Sequence, residues 1–282
     1  MSKVWFITGA SKGLGLSLVK RLLDAGHKVA ATSRNRETLQ KEVNAPESDF
    51  LALRMDIVDD HDVKRAIKEA NDHFGTIDCV VNNAGYALMG AIEESSTEEI
   101  KQNFDVNVMG ALSVIRNVLP ILREKGSGHI MNIASLGGFV GTFPAFGIYC
   151  ATKFAVQGFT EGLSEEVKPF GIHVTSVNPG YFRTEFLSSD SLNATKIQHP
   201  FYENVREMQR LHEEKLHGNQ PGDPDKAADA MIRLSEMQVP PLHLYLGSDS
   251  YEMVHQKIEG MLASLKEHRE LTVSTNFEEV SS

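Results

Sequence analysis

Tyr149 and Lys153 stand four residues apart at the start of an apolar-periodic segment. On a helix that spacing puts both side chains on one face. A phenol beside an ammonium is expected to be a proton donor with its pKa pulled down, because the cation favours the phenolate. Ser135 closes a short apolar run, Ile130-Met-Asn-Ile133-Ala-Ser, that reads as a buried strand. A hydroxyl delivered from a strand end can hold a substrate oxygen against the phenol. Together the three could move a proton on or off an alcohol or carbonyl oxygen. The pair alone is also what a surface tyrosine stacked on a lysine stem looks like, so the surrounding chain has to decide.

That chain alternates strand and helix patterns. Short β-branched and apolar runs at 4–8, 28–33, 50–55, 78–82, 129–134, 172–178 and 242–246 read as strands. Helical periodicity fills 14–25, 60–74, 97–107, 111–124, 149–168, 225–237 and 250–268. Thr97 reads as an N-cap, and Pro120 is expected to kink or stop its helix. Alternation of this kind implies a parallel sheet with helices on its faces. Residues 181–222 break the pattern as a polar and aromatic insertion, amphipathic near 201–216. The expectation is one domain over residues 1–282, with residues 249–282 as a C-terminal extension.

Gly9, Gly13 and Gly15 lie between the first strand and the first helix. Glycine lets the backbone approach a pyrophosphate, and the helix N-terminus offers N–H groups and a positive dipole end. The spacing G-x-x-x-G-x-G is not the usual dinucleotide fingerprint G-x-G-x-x-G, so a purely structural turn stays open here. The second strand ends Ser33-Arg34-Asn35, without a carboxylate to hold ribose hydroxyls. Arg34, with Lys12 in the glycine turn, can instead meet a 2′-phosphate. Two cations and no carboxylate point to NADP(H) over NAD(H).

Bulk properties narrow the field. The chain has 282 residues, 41% hydrophobic and 23% charged, with a net charge of −10. That balance argues against nucleic-acid binding and against an anionic membrane surface. Two cysteines, Cys79 and Cys150, make a disulfide framework improbable and a cytoplasmic location the expectation. No separate run reads as a membrane span, and the N-terminus lacks the layout of a signal peptide.

Thr8-Gly-x-x-x-Gly13-x-Gly15, Asn82-Asn-Ala-Gly85, Asn107, Ser135, Tyr149-x-x-x-Lys153 and Pro179-Gly180 follow one another in order. This set resembles the short-chain dehydrogenase/reductase family over residues 3 to about 248, and the variant glycine spacing is that family's own. The resemblance implies a Rossmann-type, doubly wound α/β fold with a mainly parallel seven-stranded sheet and helices on both faces. It implies a catalytic set of Asn107, Ser135, Tyr149 and Lys153. Tyr149 would be the general acid or base, Ser135 would bind the substrate carbonyl, and Lys153 would lower the Tyr149 pKa and bind ribose. Asn107, at a helix break, would hold a relay water. The cofactor would meet Gly9, Ser11, Lys12, Gly13, Leu14 and Gly15 in the turn, and Ser33 and Arg34 after the second strand. Asp56 and Ile57 would meet its adenine. Asn83, Ala84 and Gly85 would shape the floor, with Pro179, Gly180 and Thr184 at the nicotinamide. No metal is expected.

The loop after Ser135 carries Phe139, Phe143 and Phe146, and the insertion carries Tyr181, Phe182, Phe186, Phe201 and Tyr202. Such a lining suits an apolar or aromatic ketone, aldehyde or alcohol. The C-terminal arrangement resembles the branch containing 17β-hydroxysteroid and retinol dehydrogenases. Family members pair through the helices holding Asn107 and Tyr149, which implies a homodimer or homotetramer. The competing reading is a non-enzymatic NADP(H)-binding sensor on the same fold.

Overall fold

Trp5, Phe6 and Ile7 alternate between two hydrophobic layers, and that alternation is repeated across a central sheet. The computed structural model describes residues 2–187, 191–216 and 218–277. Residues 188–190 and 217 of the expected insertion and 278–282 of the expected extension lie outside the described residues. The chain runs β1 (Val4–Ile7), α1 (Gly13–Asp24), β2 (Lys28–Ser33), α2 (Arg36–Val43), β3 (Phe50–Arg54), α3 (Asp60–Phe74), β4 (Cys79–Asn82) and β5 (Ala87–Met89). It continues through α4 (Thr97–Phe104), α5 (Gly110–Lys125), β6 (Gly128–Ile133), α6 (Gly147–Val167), β7 (Ile172–Pro179) and β8 (Leu192–Ala194). It closes with α7 (Glu203–Arg210), α8 (Pro224–Glu236), β9 (His243–Leu246), α9 (Ser248–Glu267) and α10 (Arg269–Val273).

Seven strands form one parallel sheet in the order β3-β2-β1-β4-β6-β7-β9. Trp5, Ile7, Val29, Ala31, Val81 and Met131 face one layer, where α1, α2 and α8 pack. Phe6, Ala30, Val80 and Ile130 face the other, against α3, α5 and α6. A period of two along each strand makes this two-sided burial possible. The winding reverses between β1 and β4, which opens a crevice at the carboxyl ends of the strands. The expected doubly wound α/β fold is therefore the fold observed.

Several local expectations change. Helix α2 was not legible, since of its eight residues only Leu39 is buried. Ser96, not Thr97, caps α4: its hydroxyl accepts from the Glu99 N–H while the Glu99 carboxylate accepts from the Ser96 N–H. The expected break at Asn107 is a π-helical turn over Asp105–Met109, so α4 and α5 form one continuous helix, Thr97–Lys125. By length and composition that helix could cross a membrane, but half of its most apolar stretch is buried within the protein. Pro120 does not stop it, because the residue is exposed and the Arg116 carbonyl that loses a donor lies on the same solvated side. A small parallel pair, β5 with β8, is also new: it ties the insertion to the body through Ala87↔Leu192 and Met89↔Ala194.

Phe6 is fully buried in the central strand. Phe6→Ala should lower stability in urea unfolding by about 3–5 kcal/mol. A loss below about 1 kcal/mol would mean that the layer under β1 repacks around the gap.

Candidate active site

Three chain segments have to meet before any proton can be moved. Strand β6 ends at Ile133 and delivers Ser135, whose Oγ accepts the Gly137 N–H at 3.0 Å. Helix α6 lies over β6 and carries Tyr149 and Lys153 on its inner face, both buried. Lys153 Nζ donates to the Ile133 carbonyl at 2.8 Å, which joins α6 to the strand that bears Ser135. Gly138 allows that approach, since a side-chain carbon there would stand 2.8 Å from the Lys153 carbonyl oxygen. The Tyr149 hydroxyl lies beside the Ser135 side chain, close enough for that hydroxyl to act on its acidity.

The electrostatics differ from the sequence expectation. Burial raises the Tyr149 pKa above that of a free phenol, and the Ser135 hydroxyl only partly opposes it. Lys153 does not pull the phenol down: its Nζ lies 5.8 Å from the ring centre, and its own pKa is pushed to about 8 by burial. Desolvation outweighs the cation–phenol attraction, so the resting tyrosine is neutral.

Asn107 does not line the cleft. The π-helical turn aims its side chain at the backbone instead: Nδ2 donates to the Tyr86 carbonyl (2.9 Å) and to Thr152 Oγ1 (3.0 Å), and Oδ1 accepts the Tyr86 N–H (3.0 Å). Gly85 leaves open the space beside both this amide and Lys153: a side-chain carbon there would stand 3.0 Å from Asn107 Oδ1 and 3.5 Å from Lys153 Nζ. Asn107 is thus a strut between the β4 turn and α6.

The glycine turn is fitted to the end of β4. Thr8 Oγ1 accepts the N–H groups of Asn83 and Ala84, each at 3.0 Å, and Asn83 Nδ2 donates to the Thr8 and Gly9 carbonyls at 2.9 Å. Gly9 has a φ of +65°, and a side chain there would strike the Ala84 Cα at 2.7 Å. Gly15 is pressed against Asn83 behind the turn and does not line the cleft. The N-terminus of α1 has no side-chain cap, and Lys12 precedes it in extended conformation. An uncapped helix N-terminus facing a cleft is suited to a pyrophosphate.

A cleft of about 540 Å³ runs over the strand ends from Arg34 to Tyr149. Of the expected positions it gathers Gly9, Ser11, Lys12, Gly13 and Leu14 in the turn, Ser33 and Arg34 after β2, and Asp56 and Ile57 after β3. It also gathers Asn83, Ala84 and Gly85, then Ser135, Tyr149 and Lys153, and finally Pro179, Gly180 and Thr184. No carboxylate lies at the end of β2, where Arg34 is exposed and Ser33 Oγ accepts the Asn35 N–H. The Asp56 carboxylate also accepts the Val58 N–H, closing the turn after β3.

The aromatic lining is partly as expected. Phe143, Phe146, Tyr181, Phe182 and Phe186 face the cleft, and the Tyr149 ring lies between Phe146 and Phe186 at 6.2 and 6.1 Å. Phe139 instead packs with Tyr245 beneath α9, Phe201 is 74% exposed, and the Tyr202 hydroxyl binds Glu93 outside the cleft. His212 was not legible. It is buried over Phe146, its Nδ1 meets the Met208 carbonyl at 2.9 Å, and its Nε2 meets the Tyr181 hydroxyl at 3.1 Å. A carbonyl only accepts, so Nδ1 carries the proton and Nε2 accepts from Tyr181; burial lowers the histidine pKa and keeps it neutral. Nothing in a lone histidine of an amphipathic segment announces this partner.

Residues 191–216 reach the cleft through Ser191, Asn193 and His212 and are tied to the body by acids. Buried Glu94 accepts the Ala91 and His199 N–H groups and pairs with Arg206, and Glu99 accepts the Lys196 N–H.

Comparison with known proteins places this geometry. Residues 3–194 match the family described as short chain dehydrogenase. The chain is 36% identical over 276 residues to Oxidoreductase BOA17 of Botryotinia fuckeliana, covering 98% of this chain and 100% of that one. A short-chain dehydrogenase from Streptomyces avermitilis superimposes with a TM-score of 0.90 at 34% identity, covering 98% and 100%. The 3-ketoacyl-(acyl-carrier-protein) reductase of Brucella melitensis, complexed with NADH, superimposes at 0.72 with 28% identity, covering 86% and 96%.

Lys153 also makes a prediction about stability. Its folded pKa of about 8 lies below the ordinary 10.5. Between those values the unfolded chain holds the proton and the folded chain does not, so this group makes stability rise with pH. Below about pH 8 the buried ammonium carries its full cost. Lys153→Met should therefore flatten the rise in urea-unfolding stability between about pH 8 and 10. An identical pH dependence in both proteins would show that Lys153 is not desolvated.

Proposed function

The chain belongs to the short-chain dehydrogenase/reductase family, and on that premise we propose that it is an NADP(H)-dependent oxidoreductase that interconverts an apolar or aromatic carbonyl compound and its alcohol. The observation that carries this reading is the buried, neutral phenol of Tyr149, set beside Ser135 and flanked by Lys153 at one end of a cleft whose other end holds Arg34. When bound, the nicotinamide cofactor supplies or accepts the hydride.

The protein's own part is the proton. In reduction Tyr149 donates its hydroxyl proton to the substrate oxygen as negative charge develops there. Ser135 steadies the same oxygen: the Gly137 N–H occupies one lone pair of Oγ and leaves the hydroxyl hydrogen free to donate. The phenolate left behind is stabilised by the Lys153 ammonium, whose attraction matters most once the charge has formed in a buried site. Oxidation runs these steps in reverse, with the phenolate as base. The Asn107 strut fixes Tyr86 and Thr152, and Thr152 Oγ1 donates to the Tyr149 carbonyl at 2.7 Å, so the start of α6 is held in place.

The preference for a 2′-phosphate rests on Arg34 and Lys12 at the cleft and on the lack of a carboxylate after β2. The substrate class rests on Phe143, Phe146 and Phe186 around the phenol. The competing sensor reading would dispense with a placed phenol, serine and lysine, and all three are together here.

Tyr149→Phe should lower turnover of NADPH with aryl ketones by at least about 10²-fold while leaving NADPH binding by calorimetry within about twofold of wild type. Retained turnover would remove Tyr149 as the acid. Arg34→Asp should raise the KM for NADPH by about tenfold or more and leave that for NADH nearly unchanged. Equal effects on the two would overturn the 2′-phosphate assignment.

A further inference from the structure

The segment after β7 is held by an acid from far along the chain. Asp249 lies in the first turn of α9, where the positive end of the helix dipole favours a carboxylate. Its Oδ2 accepts the Tyr181 N–H at 2.7 Å. In the next residue of the helix, Ser250 Oγ donates to the Asn178 carbonyl at 3.2 Å. Helix α9, which lies beyond the stretch 3–194 that matches the family, therefore grips the chain on both sides of Pro179 and Gly180. Two glycines make room for the carboxylate. A side-chain carbon at Gly180 would stand 2.3 and 2.4 Å from the two Asp249 oxygens, and one at Gly247 would stand 2.4 Å from Oδ1. Gly180 follows β7 and Gly247 follows β9, and these strands are paired through Pro179↔Leu246. The carboxylate is thus pressed into a notch between two strand ends, which an acid serving only to start a helix does not need.

What this acid holds reaches the proton donor. Tyr181 lines the cleft, and its hydroxyl donates to His212 Nε2 at 3.1 Å. The His212 ring lies 4.7 Å from that of Phe146, which lies 6.2 Å from that of Tyr149. Packed interiors transmit displacement, so a shift of the Tyr181 main chain is passed along these rings to the wall beside the phenol.

We propose that Asp249 is a positioning residue that sets the Tyr181 ring against His212 and so shapes the aromatic end of the cleft for its substrate. This rests on the reading of that end as the site of an apolar or aromatic carbonyl compound. Removing the acceptor leaves the Tyr181 N–H unpaired and the notch empty, and the main chain moves to relieve both. The glycine turn and Arg34 follow β1 and β2, on the other side of the sheet, so a ligand held there is indifferent to Asp249.

The test reads His212 and turnover separately. The ¹⁵N signal of His212 Nε2, identified by its loss in His212→Asn, should move in Asp249→Ala toward its position in Tyr181→Phe, which lacks the donating hydroxyl. It should keep the wild-type position in Asp249→Asn, which retains an acceptor oxygen. In turnover of NADPH with an aryl ketone, Asp249→Ala should raise the KM for the ketone about tenfold and lower kcat by less than about threefold. Binding of 2′-phospho-ADP-ribose by calorimetry should stay within about twofold of wild type. In a Tyr181→Ala background the same change should leave KM within about twofold, because the ring it positions is gone. An unmoved His212 signal in Asp249→Ala overturns the proposal. So does an effect on KM of equal size with and without the Tyr181 ring, because a merely structural role adds independently. Asp249→Leu, of similar shape and without an acceptor, serves if the alanine variant does not fold. A protein that turns over no ketone refutes the substrate reading alone, and the His212 signal then decides the role of Asp249.

Discussion

The hydrogen bond from Lys153 Nζ to the Ile133 carbonyl is the contact on which the site depends. It satisfies an ammonium that burial has stripped of water, and it crosses from helix α6 to strand β6. One element brings the phenol and the other brings the serine, so the distance between the two hydroxyls is set by how closely the elements dock. The docking is close because glycine at 138 leaves room for the Lys153 carbonyl. The same burial that makes the lysine reluctant to carry charge keeps the tyrosine neutral. Both shifts have one physical origin, the removal of water.

The cleft has two chemically different ends. Toward β2 it is made of backbone, glycine turn and cations, with an uncapped helix N-terminus. Toward β6 and β7 it is aromatic, with the polar groups Tyr149, Ser135, Tyr181 and His212 set into apolar walls. The segment 191–216, which brings His212 to that end, is held by carboxylates from the segment 93–99. Glu94 is fully buried and accepts from two backbone N–H groups besides its pairing with Arg206, which holds it below the usual carboxylate range.

The errors of the sequence reading have identifiable causes. Helix α2 escaped notice because a helix that buries one leucine has no apolar stripe. Thr97 and Ser96 are both acceptable caps, and only the reciprocal bond with Glu99 separates them. A π-helical turn at Asn107 leaves no signature in hydrophobic spacing, because it differs from an α-helical turn by a single residue. Phe139, Phe143 and Phe146 look equivalent in a loop of glycine and phenylalanine. Which of them faces the cleft is decided by α9, whose Val254 and Met253 pack on Phe139 from far along the chain.

Sequence by itself determined the order of the seven strands of the main sheet, their parallel arrangement, the glycine turn, and the identities of Ser135, Tyr149 and Lys153. These are local properties: periodicity, turn chemistry and spacing on one element are written in adjacent residues. Tertiary structure alone decided that Tyr149 is held neutral rather than pulled toward phenolate, that Asn107 is a strut, that His212 accepts from Tyr181, and that Gln220 is buried with both amide atoms unpaired. Desolvation and partnering depend on atoms brought together from distant parts of the chain, and no run of neighbouring residues records how much water is left between them.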